Sequence, residues 1–260
     1  MTSSRQTALI TGAGNGIGRA IAIAMAENDR NVVCADIDLS AAETTAATIR
    51  QLGVEAAALK ADVGETSEIS NMIQDIERQF GRLDILVNNA GVTRAADIME
   101  LTEADWDKIH RVNAKGVFFC LQNAAKQMIE QGNGGRIINI ASIAGRGFSG
   151  TSNAAYSASK GAVISLTKTA AQQLAKHDIT VNSICPGVTT TEIVEGLVKT
   201  RSEARGISVE AMVKEMTDNI PLKRANEPED IAAMAIFLAS SGARNITGQS
   251  YNVDGGLVTS

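Results

Sequence analysis

Thr7-Ala8-Leu9-Ile10-Thr11-Gly12-Ala13-Gly14-Asn15-Gly16-Ile17-Gly18 decides the fold. Thr7-Ala8-Leu9-Ile10 is a short, mostly apolar run and reads as a buried strand. A glycine-rich turn follows, and then a helical pattern over about 17–27. Strand, glycine-rich turn and helix together open a nucleotide-binding βαβ unit. Glycines let a backbone approach a pyrophosphate closely, and the helix N-terminus offers free N–H groups and a positive dipole end. The spacing is not G-x-G-x-x-G, because the third position after Gly14 is Ile17. What stands is T-G-x-x-x-G-x-G, through Thr11, Gly12, Gly16 and Gly18. A turn of this kind can also be only a turn, so its flanks carry the reading.

Downstream, 31–36 reads as a second strand ending in Asp36, which lies 20 residues beyond Gly16. A carboxylate there can accept hydrogen bonds from a ribose diol. A 2′-phosphate would meet like charge, and neither Asn15 nor Ile37 offers a cation to receive it. The expectation is NAD rather than NADP. Asp38 or Ser40 is free to cap the helix over 40–52, which Gly53 stops. A third strand is expected over 54–59, a helix over Thr66–Phe80 closed by Gly81, and a fourth strand over 83–87 leading into Asn88-Asn89-Ala90-Gly91. Repeated βα units with short connections predict a parallel sheet with right-handed crossovers and helices on both faces.

The stretch 103–130 reads as two helices broken near Asn113, a poor mid-helix residue. Residues 136–141 form the fifth expected strand, which places Ser142 at its carboxyl end, where ligands of open α/β sheets sit. A glycine-rich loop through Gly150 leads to a helix over 153–176. Strands over 179–184 and 249–254 complete seven, with a Pro186-Gly187 turn between them. The charged helical segment 190–219 is the natural candidate for a substrate lid. No repeat or linker divides residues 1–260, so one doubly wound α/β domain is the simplest account.

The chain has 260 residues, 44% of them apolar and 3% aromatic, with a formal net charge of −5. No basic footprint for nucleic acid or an anionic membrane is present. No apolar run reaches the roughly 20 residues of a membrane span, and no signal peptide is expected. Cys34, Cys120 and Cys185 are dispersed, which fits a reducing cytoplasm. Two histidines without ligand-like spacing argue against a metal site.

Tyr156 and Lys160 are four residues apart, one turn along one helix face. A phenol beside an ammonium is an acid/base device, and the cation is expected to draw the tyrosine pKa down from about 10.

Taken in order, Thr11-Gly12 with Gly16 and Gly18, Asn88-Asn89-Ala90-Gly91, Asn113, Ser142, Tyr156-Ser157-Ala158-Ser159-Lys160 and Pro186-Gly187 make the chain resemble the short-chain dehydrogenase/reductase family over essentially its whole length. The resemblance implies a Rossmann-type fold and nicotinamide-dependent oxidation of an alcohol or reduction of a ketone. It implies Tyr156 as acid/base, Ser142 as hydrogen-bond donor to the substrate oxygen, Lys160 on the phenol and the nicotinamide ribose, and Asn113 on a relay water. By the same resemblance Asp62 and Val63 flank the adenine, while Asn89, Ala90 and Gly91 pass the ribose. Pro186, Gly187, Val188, Thr189 and Thr191 cover the nicotinamide, and the assembly is a homotetramer. Arg94, Arg146 and Phe148, with the 190–219 segment, are expected to shape the pocket for a small alcohol or ketone, a polyol by their polar character. A 3-oxoacyl thioester reductase using NADPH is the alternative.

Overall fold

Every residue of β1 (Thr7–Thr11) is buried, and its side chains alternate between two cores. Ala8 and Ile10 enter one, Leu9 the other. A strand covered on both faces has no polar side to show, hence its unbroken apolar run. The structure, a computed structural model, describes residues 5–148 and 152–259. The glycine-rich loop expected through Gly150 falls partly outside them.

Among the described residues β1, β2 (Asn31–Asp36), β3 (Ala56–Lys60), β4 (Ile85–Asn88), β5 (Gly135–Ile140), β6 (Ile179–Pro186) and β7 (Ser250–Val253) form one parallel sheet, ordered β3-β2-β1-β4-β5-β6-β7. The helices are α1 (Gly16–Glu27), α2 (Leu39–Arg50), α3 (Thr66–Phe80), α4 (Glu103–His110), α5 (Val117–Gln131), α6 (Ala154–Leu174), α7 (Glu192–Arg205), α8 (Val209–Asp218) and α9 (Pro228–Ala239). α1, α2 and α9 pack on the face of Ile10, Val32 and Val87. α3, α5 and α6 cover the face of Leu9, Leu86 and Ile137. α3 shows why: Ile69, Met72, Ile73 and Ile76 follow i, i+3, i+4, i+7 and are all buried. Each such side chain contributes about 1.5–3 kcal/mol on leaving water.

The chain order reverses between β1 and β4, so the sheet opens a crevice there at its carboxyl edge. Local chemistry holds the elements in place. Asp38 caps α2, its Oδ1 accepting from Ser40 N at 2.9 Å and Ala41 N at 3.2 Å, which leaves Asp36 free for the crevice.

One expectation is refined and one corrected. The α-helix over 103–130 is interrupted around Asn113, as expected: residues Arg111–Gly116 form a π-helical turn between α4 and α5. The wider turn absorbs the asparagine, whose side chain bonds the backbone of Val92 outside the helix. β6 runs to Pro186 rather than 184, because β7 pairs with Ser183–Pro186; Pro186 has no N–H to donate onward and ends the strand.

Candidate active site

The crevice floor is built by backbone. Gly12 sits at φ +65, and a Cβ there would stand 2.9 Å from Ala90 Cα. At Gly18 a Cβ would stand 2.0 Å from the Gly12 carbonyl oxygen. Only glycine permits either approach. Side chains then join the two halves of the sheet across the switch point. Thr11 Oγ1 accepts from Asn89 N and Ala90 N, both at 3.1 Å. Asn89 Nδ2 donates to the carbonyls of Thr11 and Gly12, both at 3.0 Å.

Above this floor runs a cleft of about 410 Å³. Asp36, Ile37, Asp62 and Val63 line one end. Gly12, Asn15, Gly16 and Ile17 face Asn89, Ala90 and Gly91 along its middle. Ser142, Tyr156 and Lys160 line the other end, beneath Pro186, Gly187, Thr189 and Thr191. Asp36 is held in place: Oδ2 accepts from Gly14 N at 2.9 Å and Oδ1 from Asp38 N at 3.0 Å. A carboxylate has about four lone-pair sites, so two remain to face the cleft. Asp62 is fixed by Arg111 Nη1 at 3.1 Å and by Gly64 N at 2.8 Å. A close-backbone floor, a helix N-terminus at its edge and a carboxylate beyond it fit a dinucleotide: pyrophosphate on the Gly12–Ile17 turn, ribose on Asp36.

At the far end, Asn153 caps α6 by accepting from Tyr156 N at 2.8 Å, while its Nδ2 donates to Arg94 O at 2.8 Å. This sets the first turn of α6 and with it the phenol. Ser142 Oγ accepts from Ala144 N at 3.1 Å, so its O–H is left to donate to the Tyr156 hydroxyl. Lys160 is 3% exposed, and its Nζ donates to Ile140 O at 2.7 Å. Asn113, fully buried, accepts from Val92 N at 2.8 Å and donates to Val92 O at 2.9 Å and to Ser159 Oγ at 3.2 Å. It clamps the loop after β4 to α6. Its Oδ1 and Lys160 Nζ both approach Gly91, where a Cβ would stand 3.4 and 3.5 Å from them.

The expected fall in the Tyr156 pKa does not appear. Burial pushes it up, and the Ser142 hydrogen bond opposes that rise. The ammonium lies 5.7 Å from the ring centroid and is turned to the Ile140 carbonyl. Burial also pushes Lys160 down to about 8. The spacing reports a shared face, whereas desolvation depends on depth.

Three expected substrate residues are engaged elsewhere. Arg94 pairs with Asp105 at 2.5 Å and donates to the carbonyls of Ala95 and Glu100. Arg146 donates to the Ser250 carbonyl beneath the site. Phe148 packs against Val117, Ile143, Val163 and Cys185. A second cavity, of about 90 Å³, opens instead beside Tyr156 and Ser142, and Val188 lines it rather than the main cleft. Its walls include Thr93, Ser152, Val194 and, further along α7, Arg201. Val194 and Arg201 lie in the 190–219 segment expected to shape the pocket, whereas sequence reading missed Thr93 and Ser152. The usable signals were position after a strand end for Thr93 and an i, i+3, i+4, i+7 face for α7. Among the described residues no group of three His, Cys, Asp or Glu side chains could hold a metal ion, and no helix is long and apolar enough to cross a membrane.

Comparison with known proteins gives a consistent set. A family model described as enoyl-(acyl carrier protein) reductase matches residues 12–258. A 3-oxoacyl-(acyl-carrier-protein) reductase of Staphylococcus epidermidis is 41% identical over 97% of this chain and 98% of its own. A sorbitol dehydrogenase of Cereibacter sphaeroides is 40% identical over 96% of each chain, and a galactitol 2-dehydrogenase of Agrobacterium fabrum is 39% identical over 98% of each. Among solved structures, a short-chain type dehydrogenase/reductase from Mycobacterium marinum superposes with a TM-score of 0.89 at 33% identity, over 100% of this chain and 97% of that one. An NAD+-bound xylitol dehydrogenase gives 0.90 at 33% identity, over 96% of this chain and 98% of that one.

Proposed function

This chain belongs to the short-chain dehydrogenase/reductase family of oxidoreductases, and we propose that it interconverts a secondary alcohol and its ketone with NAD(H), its substrate a polyol or a polyol derivative. The carrying observation is one cleft with Asp36 at one end and the Ser142–Tyr156–Lys160 group at the other. A nicotinamide dinucleotide, when bound, supplies the hydride acceptor or donor. The protein manages the proton and the geometry. Tyr156 Oη gives a proton to the substrate oxygen in reduction and takes it in oxidation. The Ser142 hydroxyl, locked by Ala144 N, donates where negative charge develops on that oxygen. Lys160 places a cation behind the phenol and near the sugar beside Gly91, and Asn113 fixes the loop that carries Gly91. The 190–219 segment covers the reacting end.

Asp36 supports NAD. Its two remaining lone-pair sites suit a vicinal diol, and a 2′-phosphate would add negative charge against a carboxylate already fixed by two backbone N–H groups. Ile37, next in sequence, is 63% exposed and offers no cation. Unfavourable charge at about 4–6 Å is worth a few kcal/mol in a partly wet cleft. NAD is therefore expected to exceed NADP in kcat/KM by about tenfold or more, and Asp36→Ser with Ile37→Arg to invert that order. A cofactor-linked absorbance screen over polyols, ketoses and an acetoacetyl thioester, run with both cofactors, tests the whole reading. An NADP preference of tenfold or more would sink the NAD assignment.

The sorbitol, galactitol and xylitol dehydrogenases among the relatives support the polyol half. A 3-oxoacyl thioester reductase using NADPH is the second reading, favoured by the 41% identical relative and opposed by Asp36. We also propose a homotetramer in a reducing cytoplasm. Large apolar side chains stay exposed on α4 and α5, with Trp106 at 48% and Phe118 at 40%, which is a surface a partner copy would cover. Cys34, Cys120 and Cys185 are buried and unpaired. Sedimentation is expected to return about four times the chain mass; a monomer at micromolar concentration would remove the assembly.

A further inference from the structure

Two hydroxyls line the small cavity beside Tyr156 without any part in proton transfer. Thr93 borders both this cavity and the main cleft, as Ser142 and Tyr156 do, whereas Ser152 borders the cavity alone. Thr93 stands on the loop after β4 and Ser152 just before α6, 59 positions along the chain, yet their oxygens lie 2.5 Å apart, in a hydrogen bond that either can donate. One buried asparagine holds the pair against the phenol. Asn153, 3% exposed, donates from Nδ2 to Thr93 Oγ1 at 3.4 Å and to Arg94 O at 2.8 Å, while its Oδ1 accepts from Tyr156 N at 2.8 Å. The two hydroxyls therefore keep a fixed place relative to Tyr156. Around them Val188, Val194, Leu197 and Met216 are apolar walls, and Arg201 is engaged within the protein.

We propose that Thr93 and Ser152 read a hydroxyl on the carbon next to the reacting one, so that the enzyme acts on vicinal diols and their α-hydroxy ketones rather than on isolated secondary alcohols. This rests on the dehydrogenase reading above and narrows it. A count of protons and lone pairs carries it. Each hydroxyl has one proton and two lone pairs. The bond between them uses one proton and one lone pair, and Asn153 Nδ2 takes a second lone pair, on Thr93. One O–H donor and two acceptor sites are left, whichever oxygen donates to the other. That set is the complement of an alcohol, which itself brings one donor and two acceptors. A carboxylate in the same place would leave the acceptors unmet. A methylene would shut out water and meet neither donor nor acceptors, which costs free energy. The carbon beside the ketone of a 3-oxoacyl thioester is such a methylene, so the pair selects against that class. The placement fits as well. Ser142 and Tyr156 take the reacting oxygen, Thr93 shares their boundary between cleft and cavity, and the two oxygens of a vicinal diol are close neighbours. A cavity of about 90 Å³, well below the size of pockets for drug-like ligands, suits a short carbon chain.

The test is steady-state ketone reduction on matched pairs: acetoin with butanone, and erythrulose with the ketone that lacks both hydroxyls beside its carbonyl. Wild type, Ser152→Ala, Thr93→Val, Thr93→Ser and the double variant Thr93→Val/Ser152→Ala are compared. A neighbouring hydroxyl also activates its carbonyl electronically. That effect is common to every variant, so the change in the ratio of kcat/KM within a pair carries the result. Ser152→Ala and Thr93→Val are each expected to lower the ratio of hydroxy ketone to plain ketone by about fivefold, and the double variant by about 30-fold, mainly through KM for the hydroxy ketone. Thr93→Ser keeps the hydroxyl and is expected to hold the ratio within about twofold of wild type. A merely structural pair would move both ketones together and leave the ratio unchanged. If the double variant does not fold, Ser152→Ala, at a half-buried position ahead of α6, decides. A ratio indifferent to these substitutions, or turnover of the plain ketones alone, overturns the inference and leaves the dehydrogenase reading standing. No turnover of any of the four ketones with either nicotinamide cofactor overturns both.

Discussion

Tyr156→Phe is expected to lower kcat by about 10³-fold and to leave the dissociation constant for the dinucleotide within about threefold, less than 1 kcal/mol. The substitution removes one oxygen. The ring, its place on α6 and the Asn153 cap on its backbone N–H are unchanged. What disappears, on the proposed mechanism, is the group that holds and releases the proton at the substrate oxygen. Ser142 does not replace it: its Oγ is tied to Ala144 N, and a serine hydroxyl is far too weak an acid to titrate near neutral pH. Burial raises the Tyr156 pKa, so the phenol is protonated at neutral pH and ready to donate in ketone reduction. The opposite direction needs the phenolate and is expected to gain with rising pH. Stopped-flow absorbance with a ketone and reduced cofactor checks the rate, and fluorescence titration checks binding. Retention of more than about a tenth of the wild-type rate would show that another group carries the proton.

Where the chain signals through its backbone, it can be read without coordinates. Thr66–Phe80 follows from a buried i, i+3, i+4, i+7 stripe and a closing Gly81 at φ +69. The cleft residues from Gly12 to Thr191 come together because strand ends in a parallel sheet lie along one edge. The pocket beside them is a different matter. Arg94 was expected in the pocket with other polar residues, yet Asp105 lies within its reach and is itself fixed in the capping box of α4. Arg146 follows Ser142 closely in sequence, but its partner, the Ser250 carbonyl, is 104 positions away. Nothing local announces either contact. The 190–219 segment was expected at the pocket as a whole, but which of its residues line the cavity, Val194, Leu197, Val198 and Arg201 among them, is decided only by the helical face that α7 turns toward Tyr156. The Tyr156 pKa failed on depth, which helical spacing does not encode.

Lys160 joins rate to stability, and its substitution is expected to move them in opposite directions. Its pKa falls from 10.5 to about 8 because burial disfavours the ammonium. The sign follows from proton counts. Between about pH 8 and 10.5 the unfolded chain holds a proton on this lysine that the folded chain does not, so stability rises with pH across that window. Below it the full cost stands, about 3 kcal/mol as an order of magnitude. Lys160→Met removes that cost and leaves the Ile140 carbonyl without its donor, a loss of about 1–2 kcal/mol. The variant is therefore expected to be more stable than wild type at pH 7 by about 1–2 kcal/mol, a rise of several degrees in Tm, with the gain fading toward pH 10.5. Its turnover is expected to drop by about 10²-fold or more, since the charge behind the phenol and beside Gly91 is gone. The pH profile separates the two roles. Wild-type ketone reduction is expected to hold below about pH 8 and decline above it, as Lys160 loses its proton, and that limb is expected to vanish in Lys160→Met. Thermal melts from pH 6 to 11 beside the pH–rate profile provide both readouts. A variant that is less stable at every pH, or that keeps the wild-type alkaline limb, would mean that Lys160 is neither a costly buried cation nor the group titrating in turnover.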